Sequence, residues 1–488
     1  MTAQAQTLIR RNVWTLPAGD TTLSDYAKAV AIMKARNASD PTSWIYQAAM
    51  HGTLAQQTKP LWNGCMHGTW FFLPWHRMFL YYFEQIVRAA VVQAGGSPAW
   101  TLPFWDYGAG GQQATLPLAF RNQTAGGNPN PLYVSQRAPG INTGMAIPSS
   151  IASAAHALSR PQFTGAAQFG GGITPAQQFS NQTGQLEQTP HNDLHVAVGG
   201  PSGWMSDPDQ AAEDPIFWLH HSNIDRLWSV WNNAGHWDPS DQLWMTQKFS
   251  FFDAHGHQVQ KSCGDVIRVL HQLGYNYETA PAQVVPSTAE APAPEPVPAA
   301  AAAAAGAGNP GSGSEQEGEL VGASDRPIEL VGSPAEVSVQ IDAQARSAAV
   351  ADAAAARPRH IYLNVEDIEG ERNPGVVYGI YLNLPADAPP EVAARHHASN
   401  VSFFGIERAR NPRGDEQPHN LRVSVDITEL AHELEAAGEW SDERVQVTFR
   451  PLGLVPEDQP ELAHALPETP PSSEAPVRIG RVSVAYAP

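Results

Sequence analysis

The chain has 488 residues, too many for one ordinary core, and its 42% hydrophobic content with 14 Trp, 12 Tyr and 16 Phe is enough to bury two or three domains. Acidic residues outnumber basic ones 48 to 29, and the net charge of −19 excludes the basic footprint that nucleic acid or an anionic membrane would require. Cys65 and Cys263 are the whole cysteine complement, so no disulfide framework holds the fold.

The first dozen residues contain no apolar stretch of the secretory kind, so a cytoplasmic location is expected, with export in the folded state left open. Apolar periodicity predicts helices over 23–34 and 42–51, with Ser24 and Asp40 as caps and Pro41 near the second start. A long apolar helix is expected from Pro74 to about Gln93, ended by Gly95-Gly96. His76, Arg77, Glu84 and Arg88 interrupt it, which makes it a buried helix and not a membrane span. From Pro103 to about Gln185 the chain is rich in Gly and Gln without clear periodicity, as functional loops over a helical core would be. Helical pattern returns around His191 and over 214–231, and 266–277 reads as the edge of a first domain, residues 1–278.

Residues 279–317, rich in Ala, Pro and Gly, cannot bury enough apolar surface to order themselves and read as a tether. Beyond them, in 318–488, period-two alternation recurs at 361–365, 376–384, 400–404, 421–427, 445–449 and 481–486. That pattern predicts an antiparallel β-sandwich, with short helices near 343–356 and 428–437.

Eighteen histidines occur, and any single one is by default a hydrogen-bonded core residue. Joint geometry singles out six. His191 and His195 lie four apart, which on a helix sets them about 40° apart on one face, as two ligands of one ion would be. His67 and His76 would oppose each other on one continuous helix. A helix begun at Pro74 instead puts His76 in its first turn and lets His67 approach from the loop before it, with His51 completing the set. Downstream, Asp214 caps and Pro215 starts a helix bearing His220 and His221, adjacent residues of which one can face the site. Imidazole donors suit copper or zinc better than a di-iron pair, which uses Glu and Glu-x-x-His ligands. One such triad would describe a zinc hydrolase, whereas two side by side suggest a pair of coppers handling dioxygen.

The spacing His51-x15-His67-x8-His76 with Trp75-His76-Arg77 resembles the copper A region of the tyrosinase, catechol oxidase and molluscan haemocyanin family. His191-Asn192-x-x-His195 and Asp214-Pro-x-Phe-x-x-His-His-x-x-x-Asp225-Arg226 resemble its copper B region, and the match covers residues 10–277. The resemblance implies two copper ions, held by His51, His67 and His76 and by His191, His195 and His221, with His220 a neighbour that is not a ligand. It implies a thioether between Cys65 and His67, where the residue-level alternative is a buried thiol. It implies that Glu187 and Asn192 order a water as general base, where the alternative for Glu187 is a first-turn carboxylate on a helix dipole. The family's gate over copper A falls on Pro208, with Val196 after His195 and Met205 as further gate positions, and such a small gate predicts an open pocket. Asp225 and Arg226 match residues around the ligands, or form an ion pair on a helix surface. Arg10 or Arg11 with Tyr275 and Tyr277 resembles the clasp that closes the family's catalytic domain.

The fold class expected is therefore multidomain α + β, a mainly α catalytic domain with a four-helix-bundle dicopper core followed by the β-sandwich. The last domain resembles, more weakly, the one that covers the active site in latent enzymes. Phe403 or Phe404 would insert into the copper pocket, against the ordinary reading of both as sandwich core, and His396-His397 is a weaker metal candidate. The activity implied is oxidation of phenols by O2, by ortho-hydroxylation, by oxidation of o-diphenols to o-quinones, or on o-aminophenols. A haemocyanin-like O2 carrier uses the same site without turnover. Expected partners are O2 and small phenolic substrates, with no nucleic acid or membrane, and a homo-oligomer is compatible.

Overall fold

The computed structural model describes residues 7–56, 58–165, 167–177, 179–278, 319–344, 360–412, 418–441, 443–467 and 475–487. The tether at 279–317 and most of the helix expected at 343–356 lie outside them.

The N-terminal body is built on two long buried helices, Phe72–Gln93 and Pro215–Asn233, with Thr22–Ala35 and Trp44–His51 packed beside them and the short Asp193–Gly199 helix across the site. Phe79 packs on Trp218, ring centroids 4.8 Å apart, where the two long helices meet. The helix beginnings differ from the sequence reading for local reasons. Phe72, not Pro74, opens the long helix, because its first turn needs no backbone N–H donors and tolerates a proline there. His76 consequently sits in the second turn. Ser43, not Asp40, caps the Trp44–His51 helix by accepting from the Tyr46 N–H at 3.3 Å, while Asp40 closes the preceding turn on Thr42 N–H at 2.8 Å. Thr21 precedes the first helix, and the hydroxyl of Ser24 turns back to the Thr21 carbonyl. Asp214 caps and Pro215 starts the last long helix as expected.

The ends of this body are tied by a parallel pairing of Leu8–Arg10 with Tyr275–Tyr277. Arg10 is the clasp residue: fully buried, it donates to Glu84 at 2.8 Å, to Asp225 at 3.1 Å and to the Tyr277 hydroxyl at 2.9 Å. Arg11 is exposed and meets Asp20. Asp225 also accepts from Arg77, Tyr275 and Tyr277. Arg226 turns away to Asp106 at 2.7 Å, so Asp225 and Arg226 do not form the surface pair that was the simpler alternative.

The C-terminal region is one continuous antiparallel sheet of nine strands, not two sheets face to face. Its order is His397–Val401, Val377–Leu382, Arg444–Leu452, Ala335–Ile341, Glu319–Ser324, Val477–Ala487, His360–Gly370 and Leu421–Asp426, with Ile328–Leu330 added to Val477–Ala487. Register shifts at Val365/Ile368, Ile380/Tyr381 and Val484/Ala485 curl the sheet around a core of Val339, Leu363, Val365, Ile380, Phe449 and Val484. Alternation marks which face is apolar but carries no information on whether strands pair into one curled sheet or two flat ones. The Thr428–Ala436 helix matches the sequence reading.

Both edge strands face the helical body. Asn400, on one edge, donates to the Ser150 carbonyl and to Asp193 at 2.9 Å, while Gln188 donates to the Asn400 carbonyl at 3.0 Å. On the other edge Arg160 pairs with Asp426 at 2.8 Å, and Gln185 donates to the Ser424 carbonyl at 3.2 Å. Side chains of the body thus occupy edge groups that would otherwise be open to strand addition.

Candidate metal centre

Seven histidines converge between the helices, and all are buried. His51 ends its helix, His67 comes from the loop before Phe72, and His76 lies one turn into that helix. His191 sits where the backbone breaks after Thr189, His195 is on the following helix, and His220 and His221 are on Pro215–Asn233. Ring nitrogens of His51, His76 and His221 lie within 4.8 Å of one another, as do those of His191, His195, His220 and His221, and those of His51 and His67 with the Cys65 sulfur. His76 and His221 stack at 4.6 Å, which puts the two groups side by side.

The outer nitrogens decide which way the rings face. Nδ1 of His51 meets the Pro208 carbonyl at 2.9 Å, that of His76 the Phe72 carbonyl at 2.8 Å, and that of His195 the Met205 carbonyl at 2.7 Å. A carbonyl oxygen only accepts, so each Nδ1 carries the proton and each Nε2 presents a lone pair inward. Asn192 Oδ1 holds His191 Nδ1 in the same way at 2.9 Å. Among the described residues, Nε2 of His51, His76 and His191, and both nitrogens of His67, have no hydrogen-bond partner. Each such buried orphan costs about 1–3 kcal/mol unless a ligand takes it. Nε2 of His195 and His221 approach to 3.3 Å, the separation of two imidazoles sharing one ion at roughly 2 Å from each. Burial depresses all seven imidazoles, His51 to about 3 and the others well below their ordinary range, so they are neutral donors at pH 7. This set of neutral, inward-facing, unpartnered nitrogens fits copper.

Around the rings, Glu187 is buried, accepts from the Gly68 N–H at 2.7 Å through Oε1, and leaves Oε2 without a partner among the described residues; burial raises its carboxyl to about 8. Asn192 is half-buried and gives its oxygen to His191. The three gate positions are all buried, Pro208 and Met205 offering carbonyls to ligand rings and Val196 lying in the helical core. His220 is turned to the Tyr107 hydroxyl at 3.2 Å, whereas His221 alone of the pair also faces His51 and His76.

Two phenyl rings complete the pocket. Phe404 reaches in from the sheet region and stacks on His195 at 4.3 Å and 24°, with its edge on His67 and His191. Of the two residues singled out in the sequence, Phe404 enters the site and Phe403 packs inside the sheet against Tyr378. Phe179, from the long loop region, stacks on His67 at 4.9 Å and 21°. Nothing in the sequence marked Phe179, or the carbonyls of Phe72, Met205 and Pro208. His396 and His397 form no metal group among the described residues; they bond to Leu382 and Asn400.

A helical body that gathers seven neutral imidazoles into adjoining groups, His191, His195, His220 and His221 on one side and His51, His76 and His221 on the other, with His67 beside His51, defines a metal-binding protein. Comparison with known proteins identifies the class. Residues 41–234 match the common central domain of tyrosinase, 238–287 the polyphenol oxidase middle domain, and 317–487 a domain of unknown function. A tyrosinase of Hahella sp. (strain CCB-MM4) is 31% identical over 508 residues, covering 97% of this chain and 98% of that protein. A chloroplastic polyphenol oxidase of Malus domestica is 26% identical over 87% of this chain and 72% of its own length. The structure of latent apple tyrosinase superposes with a TM-score of 0.64 at 22% identity, over 100% of this chain and 98% of that one, which shows the shared fold. The chain belongs to the tyrosinase and polyphenol oxidase family: it is a copper oxidoreductase with a binuclear type-3 centre.

Proposed function

We propose that this enzyme oxidises small phenols with O2, hydroxylating monophenols at the ortho position, converting o-diphenols to o-quinones, or both, and that it is latent in the form described. The observation that carries the reading is Phe404, an aromatic ring already lying face-on against His195 within the metal pocket. A substrate ring would need that same face, so the intact chain competes with its own substrate. Residues 1–278 act as the catalytic domain, its histidine-bearing helices as a four-helix bundle, 279–317 as the tether and 318–488 as the cover. The chain functions in the cytoplasm; among the described residues no helix is long and apolar enough to cross a membrane.

His51, His67 and His76 would hold one copper, and His191, His195 and His221 the other. The copper pair supplies the redox chemistry with O2 when bound. The protein contributes orientation and proton handling. The carbonyls of Pro208, Phe72 and Met205 and the amide of Asn192 fix four rings before any ligand arrives, so binding does not have to order them. A thioether between Cys65 and His67 would hold a ring whose two nitrogens both lack partners among the described residues. Glu187 Oε2, buried and unpartnered among the described residues, would take the phenol proton through a water shared with the Asn192 amide, once the positive charge of bound copper lowers its raised carboxyl. Of the gate positions, Pro208 and Met205 stand beside the ligand rings His51 and His195, whereas Val196 is buried in the helical core. An o-aminophenol oxidase is the alternative within the same family, and relative rates on tyrosine, catechol and an o-aminophenol separate the activities.

The test is Phe404→Ala in the full-length, copper-loaded chain. Catechol oxidation should rise at least tenfold, and a single proteolytic cut within 279–317 should have a similar effect. Unchanged rates in both would remove latency from the reading, and no quinone from any phenol would remove the activity.

A further inference from the structure

A small residue at the gate position predicts a pocket that is open once the cover leaves. The surroundings of His67 argue otherwise. Phe179 lies face-on against that imidazole, and it belongs to the helical body, not to the cover. Its loop is tied down on both sides of the ring. Gln182 N–H donates to the Gly68 carbonyl at 3.0 Å, and Gly172 N–H to the Gln182 carbonyl at 2.9 Å. The Trp70 indole donates to the Thr174 carbonyl at 2.9 Å. Gly68 itself, with φ of +63°, runs so close to the Ser180 carbonyl that a Cβ there would collide with it. The loop therefore rides on the residue that follows a copper A ligand. Asn181 adds a bond across to the cover, to the Asn420 carbonyl at 2.7 Å.

Phe179 also meets the turn that delivers Phe404. Gly405, left-handed at φ +82°, presses its backbone against the Phe179 ring, and a Cβ on Gly405 would stand 2.7 Å from it. The two phenyls divide the pocket. Phe404 occupies the His195 face and leaves with the cover, while Phe179 occupies the His67 face and stays.

We propose that Phe179 is a specificity-determining residue, an aromatic wall on the copper A side that limits the bulk a phenol can carry next to its hydroxyls. The inference rests on the phenol-oxidation reading and deepens it. An unsubstituted catechol gains an aromatic neighbour and should bind more weakly without it, because edge or offset contacts between rings are worth about 0.5–1.5 kcal/mol beyond burial. A catechol with a bulky group at position 3, beside the hydroxyls, meets the wall and should be admitted when it is removed.

The experiment uses the full-length copper-loaded chain opened by Phe404→Ala, or by one cut within 279–317 if that substitution leaves it closed. Into this background Phe179→Ala, Phe179→Leu and Phe179→Tyr are introduced, and kcat and KM are measured for catechol and for 3-tert-butylcatechol. Phe179→Ala should raise KM for catechol severalfold and lower it for the bulky substrate, so that the ratio of the two kcat/KM values shifts at least tenfold. Phe179→Tyr should keep the parental order, and Phe179→Leu should fall between. A ratio within twofold of the parent in Phe179→Ala, with two coppers per chain retained, overturns the proposal. If Phe179→Ala loses copper, an unshifted ratio in a copper-replete Phe179→Leu overturns it equally. An opened parent that makes no quinone at all would instead count against phenol oxidation itself.

Discussion

The Phe72–Gln93 and Pro215–Asn233 helices carry two buried polar nodes, and they are built on opposite rules. His76 and His221 stack across them, and His76 Nε2 and His221 Nδ1 have no hydrogen-bond partner among the described residues. One residue further along the first helix and one turn further along the second, Arg77 and Asp225 meet in a cluster with Arg10, Glu84, Tyr275 and Tyr277. There the Coulomb attraction of two guanidiniums outweighs burial and holds the Asp225 carboxyl below its ordinary range. The first node leaves polar atoms unmatched and the second matches nearly all of them. An unmatched buried donor set is tolerated where something else will bind, whereas a matched one closes the fold.

The largest effect that would break this contrast is at the first node. His76→Ala should abolish turnover and leave fewer than two coppers per chain by elemental analysis. Wild-type activity in that variant would end the metal-centre assignment. Asp225→Ala should do the reverse. It leaves the buried Arg77 guanidinium without a carboxylate and takes one of two carboxylates from Arg10, so denaturation should show a loss of roughly 3–5 kcal/mol, while folded, copper-loaded molecules turn over within a few-fold of wild type. If His76→Ala costs the copper-free protein as much stability as Asp225→Ala, the two nodes are not different in kind.

Glu187 sharpens the comparison through pH. Its carboxyl is raised to about 8 in the folded copper-free protein against an ordinary 4.5, so folding favours its protonated form. That contribution is fully present below about pH 4.5 and is lost as pH rises through about 8. The change approaches 1.4 kcal/mol per pH unit between those limits at most. Copper-free Glu187→Gln should therefore gain on wild type when urea denaturation is compared at pH 5, 6.5 and 8. Parallel pH curves would mean the carboxylate is not desolvated. The smallest effect is expected at the helix that delivers His51. Removing its cap by Ser43→Ala should cost about 1 kcal/mol, read in the same denaturation experiment, with copper content unchanged.

The helical half was the more legible in sequence because its information is local. The spacing of His191 and His195, the Asp214-Pro215 start and the Gly95-Gly96 stop each act within a turn or two of chain. Arg10 could not be told from Arg11 on that basis, since the choice depends on which side of a short edge strand faces Asp225, a residue more than 200 positions away. Phe403 and Phe404 posed the same difficulty: one fills the sheet core and the other leaves it.

By itself, the sequence determined the helices, the histidines they carry, and the split into a helical half and a strand-rich half. Helices and split follow from short-range periodicity, whereas the choice of six ligands among those histidines follows from the resemblance of their spacing to a known family. Only the tertiary structure decided that the strands curl into one sheet, which carbonyls aim the rings, and that Phe404 and Phe179 face His195 and His67. Those are long-range contacts, set by packing and by which buried groups find partners, and no local pattern encodes them.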